Sequence, residues 1–111
     1  MQNHKFKDIV RKLREFADCV DSSGEMSFKI QVGNNLSIHI QMKVQDDVVY
    51  ITKSVDEHPL SYIAVCAPKD DYLVHVYQKY REAELLHNLQ VGKEVEFLMK
   101  TLFYGTTVID V

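Results

Sequence analysis

The sequence predicts one α+β domain: an N-terminal helix packed on an antiparallel β-meander of about four strands, then two helices and a short terminal strand. Three patterns predict it. Near the N-terminus, apolar residues recur at spacings of three and four, the period of a helix with one buried face. Between residues 26 and 53 they alternate with polar residues, the period of strands with one wet face. Beyond residue 70 the helical spacing returns, interrupted by Gly92 and closed by Gly105. The chain has 111 residues, the size of a single domain, and shows no linker, repeat or low-complexity tract. Its 46% hydrophobic and 26% charged residues suit a globular chain.

The first element is a helix over residues 4–20. Phe6, Ile9, Leu13, Phe16 and Val20 form its apolar stripe, with Val10 and Ala17 alongside. Asn3 suits the N-cap, and Asp21-Ser22-Ser23-Gly24 supplies turn formers that end it. Lys7, Arg11 and Arg14 line the wet face.

The meander follows. Met26, Phe28, Ile30 and Val32 alternate with polar residues, as do Leu36, Ile38, Ile40, Met42 and Val44. A Gly33-Asn34-Asn35 loop joins them, since Gly and Asn tolerate positive φ. That loop pairs Val32 with Leu36, Ile30 with Ile38 and Phe28 with Ile40. A second turn at Asp46-Asp47 pairs Val44 with Val49 and Met42 with Ile51. It leaves Val48, Tyr50 and Thr52 on the outer face, while Phe28, Ile30, Ile38, Ile40, Met42, Val49 and Ile51 face the helix. A one-residue slip would turn all of these outward, so the pattern specifies the register. Residues 54–59 read as a loop. Leu60 to Ala67 is a nearly unbroken apolar run, read as a strand buried on both faces and therefore central or covered.

Residues 70–90 admit two readings. One helix capped by Asp70 places Leu73, Val76, Tyr77, Tyr80 and Ala83 on a stripe, with Leu85, Leu86 and Leu89 nearly opposite. The rival is a strand over 72–77 followed by a helix from Gln78. No Gly, Pro or Asn separates the two halves, which favours the single helix. A last helix over 93–104 turns Val95, Leu98, Met99 and Leu102 inward, with Gly105 at C′, and Thr106 to Val111 reads as a terminal strand.

The net charge of −3 weighs against a nucleic-acid partner, because phosphate neutralisation supplies most of the affinity for a duplex. The charge is uneven: residues 1–15 hold five Lys/Arg against Asp8 and Glu15. Lys7, Arg11 and Arg14 are therefore the candidate nucleic-acid contacts, set against the ordinary solvated face of an amphipathic helix. Tyr50 is the only aromatic expected on the outer sheet face, too few for a base-stacking platform. Cys19 and Cys66 form no C-x-x-C pair, and are expected to be buried, inert thiols in a reducing compartment. The polar, basic start and the lack of any apolar run near the ~20 residues of a membrane span predict a cytoplasmic protein with no membrane association.

Chemical motifs are lacking. No Gly-x-Ser-x-Gly frames a nucleophile, and the four glycines stand singly, so no Gly-rich phosphate loop exists. Glu84-x-x-His87 has the spacing of a di-iron ligand pair but occurs once, and such centres need two copies and more glutamates. Asp56-Glu57-His58 and Asp70-Asp71 read as solvated acidic ends, with Asp70 as a cap. Tyr77, Tyr80 and Arg81 form a possible anion cluster, but aromatic residues at helical spacing usually belong to a core. No metal or cofactor is expected.

These absences favour a non-enzymatic protein-interaction or regulatory module, such as a small accessory, inhibitor or immunity-type protein. Its expected surface is the outer sheet face: Lys29, His39, Gln41, Lys43 and Tyr50. The alternatives are a nucleic-acid-associated regulator using the basic first helix, and a small enzyme whose site is assembled from distant residues. A twofold homodimer is expected, since one apolar patch of the 70–90 helix would otherwise face water, and the terminal strand offers a sheet edge.

Overall fold

A computed structural model of the chain describes residues 4–56, 58–85 and 93–109, with side chains except at 4–6, 32–33 and 58–61. The first helix, α1, spans His4–Asp21. Ile9, Leu13, Phe16, Ala17 and Val20 are buried along one stripe, as the spacing requires. The expected cap Asn3 and the Phe6 side chain lie outside the described residues.

The sheet contains β1 (Glu25–Gly33), β2 (Leu36–Gln45), β3 (Val48–Val55), β4 (His58–Pro68) and β5 (Thr107–Val108), in that spatial order and antiparallel throughout. Hence the meander has the four long strands expected, plus a two-residue fifth. Ile30 pairs with Ile38, Phe28 with Ile40, Met42 with Ile51 and Val44 with Val49. The expected Val32–Leu36 pair does not form. Gly33 faces Leu36 instead, and an irregularity between Gln31 and Gly33 absorbs the extra residue. The turn is thus Asn34-Asn35, with Asn35 at φ 59°. At the second turn both Asp46 (φ 54°) and Asp47 (φ 63°) are left-handed, the backbone of a type I′ hairpin.

The 54–59 loop is shorter than expected, since β3 continues to Val55 and β4 starts at His58. More consequential is β4 itself. It is not buried on both faces: Tyr62 is 51% and Ile63 39% exposed, while Ala64, Val65 and Ala67 are buried. An apolar run carries no period, so it does not reveal which face the helices cover.

Residues 72–77 are helical: α2 spans Lys69–Leu85. Tyr72, Val76 and Ala83 are buried, and Leu73, Tyr77 and Tyr80 pack against the core. Because α2 begins at Lys69, Asp70 sits in its first turn rather than at the cap, where its charge favours the helix dipole. The helix α3 spans Glu94–Phe103, slightly inside the expected bounds. Leu98 and Leu102 are buried, Val95 and Met99 partly so, and Gly105 at φ 69° takes the left-handed C′ conformation. The expected strand 106–111 is seen at Thr107–Val108, pairing with Cys66 and Val65 of the same chain, and residues 110–111 lie outside the described residues. All three helices contribute to one core with the inner sheet face.

Tyr72 ties this core together. Its hydroxyl donates to the Leu102 carbonyl at 2.6 Å, and its ring meets Phe16 edge-on with centroids 6.0 Å apart. Burial pushes its pKa well above the ordinary 10.0. A folded-state pKa above the unfolded one stabilises fully below the unfolded pKa and loses that contribution as pH rises through the folded one. The fold should therefore weaken progressively above about pH 10. Tyr72→Phe should remove this alkaline component and cost about 0.5–1.5 kcal/mol at neutral pH for the lost hydrogen bond. Urea unfolding at neutral and alkaline pH compares the two proteins directly.

Candidate interaction surface

Because the helices share one side of the sheet, the alternate residues of every strand face outward. Cross-strand pairing sets them in rows. Glu25, Lys43, Tyr50 and Cys66 form one row, and Ser27, Gln41, Thr52 and Ala64 the next. Lys29, His39 and Ser54 form a third. Four of the expected surface residues, Lys29, Gln41, Lys43 and Tyr50, are exposed, and His39 is half-buried.

The charges are sorted across this face. Glu25, Lys29 and Lys43 belong to β1 and β2, with Lys43 lying 3.9 Å from Glu25. Among the described side chains, the outward residues of β3 and β4 carry no formal charge: Val48, Tyr50, Thr52 and Ser54, then Tyr62, Ala64 and Cys66. Tyr50 and Tyr62, 38% and 51% exposed, are the aromatic groups of that half. The expectation of a single outer aromatic is thereby corrected. The unbroken apolar run of β4 carries no alternation that would mark Tyr62 as outward.

One polar cluster stands at the β2–β3 end. His39 Nε2 lies 2.5 Å from Asp56 Oδ1, and the contact to a carboxylate makes this nitrogen the donor. The Asp56 amide donates to the Ser37 carbonyl at 3.1 Å, and the Ser37 hydroxyl donates to Gln31 Oε1 at 3.0 Å. Ser54 stands opposite His39, so serine, imidazole and carboxylate are neighbours. They do not form a nucleophilic relay. No hydrogen bond links Ser54 to the ring among the described residues, and His39 and Asp56 are 41% and 40% exposed. Activation of a serine requires that hydrogen bond and donors aimed at a developing oxyanion. The cluster presents hydrogen-bonding groups at this end of the sheet.

In the other candidate sites Arg11, Arg14, Tyr77 and Tyr80 contact neighbouring side chains. Arg11 pairs with Asp8 at 3.5 Å and Glu15 at 3.2 Å, and Arg14 pairs with Asp18 at 3.2 Å. Arg14 also lies over the Tyr80 ring, and these partners raise its pKa, the Tyr80 hydrogen bond most. Arg11 and Arg14 are thus ion-paired within the helix while their side chains stay more than half exposed, and Lys7 is exposed on the same element. The tyrosines of the possible anion cluster are likewise engaged with carboxylates. Tyr77 donates to Asp18 at 3.2 Å and Tyr80 to Glu84 at 3.2 Å. Partial burial, then the Asp18 hydrogen bond, raises the Tyr77 pKa. Arg81 remains exposed.

Glu84 is thus drawn into a contact with Tyr80, while His87 lies outside the described residues, as do Glu57 and the His58 side chain. No group of three potential metal ligands occurs among the described residues. The thiols are half-buried rather than buried. Cys19 donates to the Glu25 carbonyl at 3.2 Å, and desolvation, then the Glu25 charge, raises its pKa. A raised pKa disfavours the reactive thiolate. Cys66 sits on the uncharged half of the sheet. No helix among the described residues is long and apolar enough to cross a membrane. Comparison with protein-family models, with curated proteins and with solved structures finds no match.

Proposed function

We propose that this protein is a non-enzymatic interaction module that binds a protein partner through the uncovered face of its sheet. One observation carries the reading: β3 and β4 present an uncharged strip bearing Tyr50 and Tyr62, bordered by the charges of β1 and β2. Protein interfaces have this anatomy, with charge depleted and tyrosine enriched at the centre and a polar rim around it. Lys29, His39, Gln41 and Lys43 then belong to the rim, and Tyr50, Thr52 and Tyr62 to the centre.

A second copy of the chain is the first partner to test, since two such faces can pack as stacked sheets in a closed twofold pair. The earlier grounds for a dimer have narrowed. Val76 is fully buried within its own chain, and of the second α2 patch Leu85 is 76% exposed, with Leu86 and Leu89 outside the described residues. Placing a photo-crosslinking residue at position 50 or 62 should yield a discrete protein adduct in native cells. The same residue at position 7 on α1 should yield none, and Tyr62→Asp should abolish the adduct formed from position 50. Sedimentation at micromolar concentration separates self-association from a different partner. Adducts from position 7 alone would refute the reading.

A further inference from the structure

The inward register of β3 contains an anomaly. Val49 and Ile51 are fully buried on it, and the next inward position is Lys53. Alternation calls for an apolar residue there. The lysine is half-buried, with Nζ 5.8 Å from the centre of the Phe103 ring, and no carboxylate lies within ion-pair distance among the described residues. It opens onto a cleft of about 600 Å³ between α3 and the β4–β5 edge.

The walls of this cleft are apolar. Ile63 and Val65 come from β4, Met99 and Phe103 from α3, and Val108 from β5. Ile63 and Val108 are 39% and 69% exposed, so the cleft leaves apolar surface facing water. Among the described residues, its charged lining groups are Lys53 and Lys100, and none of its lining residues is acidic. Lys100 has a loose partner, Glu96 at 3.9 Å. Small-molecule sites have this form: a concave, mostly apolar surface of roughly 300–1,000 Å³ with a few placed polar groups.

We propose that this cleft binds an organic carboxylate with an apolar body, its anionic group held by Lys53 and Lys100 and its body lying on Met99, Phe103 and Ile63. Charge complementarity selects this occupant: among the described residues, two cations and no acid border an apolar floor, which matches one anionic end and one apolar end. The cleft lies on the helix side of the sheet, opposite the proposed protein-binding face, so either site can fail without the other.

Three probes sharing one alkyl chain test it below their aggregation concentrations: decanoate, decanol and decyltrimethylammonium. Amide and methyl chemical shifts report where each binds. Decanoate should bind saturably at one site, with shifts concentrated at Lys53, Ile63, Met99 and Val108, and about tenfold more tightly than decanol. Lys53→Met keeps the stem against Phe103 and should weaken decanoate about tenfold while leaving decanol unchanged. Lys53→Glu should reverse the preference toward decyltrimethylammonium. Thermal unfolding of each variant establishes that it folds, and either variant alone suffices for the test. Equal binding of the three probes, binding elsewhere, insensitivity to Lys53, or no binding by decanoate would each overturn the proposal.

Discussion

Phe16→Ala is expected to destabilise the fold by about 3–5 kcal/mol, the range for removing a fully buried aromatic side chain. Phe16 is completely inaccessible to solvent and stands among the largest side chains of the core. Its ring meets Tyr72 at 64°, an edge-to-face contact joining α1 to α2. Truncation removes both the buried ring and this contact. A domain of this size has a total stability on the order of 5–15 kcal/mol, so the variant should be close to unfolding at moderate temperature. Urea denaturation monitored by circular dichroism measures the loss. A change below about 1 kcal/mol would mean that α1 is not seated on the core as described.

The second large effect separates two neighbouring isoleucines. The sequence pattern gives Ile38 and Ile40 the same inward role, and on that basis Ile38→Ala should cost ~2–5 kcal/mol. The structure divides them: Ile40 is fully buried, whereas Ile38 is half-buried at the end of β2 and only packs against the core. Ile40→Ala should therefore cost about 2–5 kcal/mol, and Ile38→Ala distinctly less, because exposed area contributes little when removed. Parallel unfolding curves decide it, and equal losses would place Ile38 deeper than described. The control matters because both residues share one strand and one face, leaving coverage by the helices as the difference.

The sheet-outward residues Lys29, Gln41, Lys43 and Tyr50 were legible because alternation over β1–β3 assigns each side chain to a face without reference to anything else. Thr52 was legible for the same reason. Tyr62 and Cys66 were not, since Tyr62 to Ala67 is uniformly apolar and names no face. The ion pairing of Arg11 and Arg14 was implicit in the sequence, because Glu15 and Asp18 stand four residues on, at helical contact spacing. Tyr77 accepting a role beside Asp18 was not, because that contact joins residues 59 positions apart on different helices. Lys53 was visible as a break in the pattern Val49, Ile51, Lys53, but nothing local indicates what lies opposite it.

The sequence by itself determined the element types, the inward and outward faces of the first three strands, and the register of the hairpins away from the first turn, where Gly33 rather than Val32 faces Leu36. These follow from period and turn chemistry, which act over a few residues, with Asp46 and Asp47 meeting the demand for positive φ at the second turn. Tertiary structure alone decided that all three helices cover one side of the sheet, that β4 leaves Tyr62 and Ile63 exposed, and that a cleft lies between α3 and the β4–β5 edge. Those outcomes depend on how long elements pack against one another across the chain. Packing competes over the entire buried surface at once, and no short stretch of residues encodes its result.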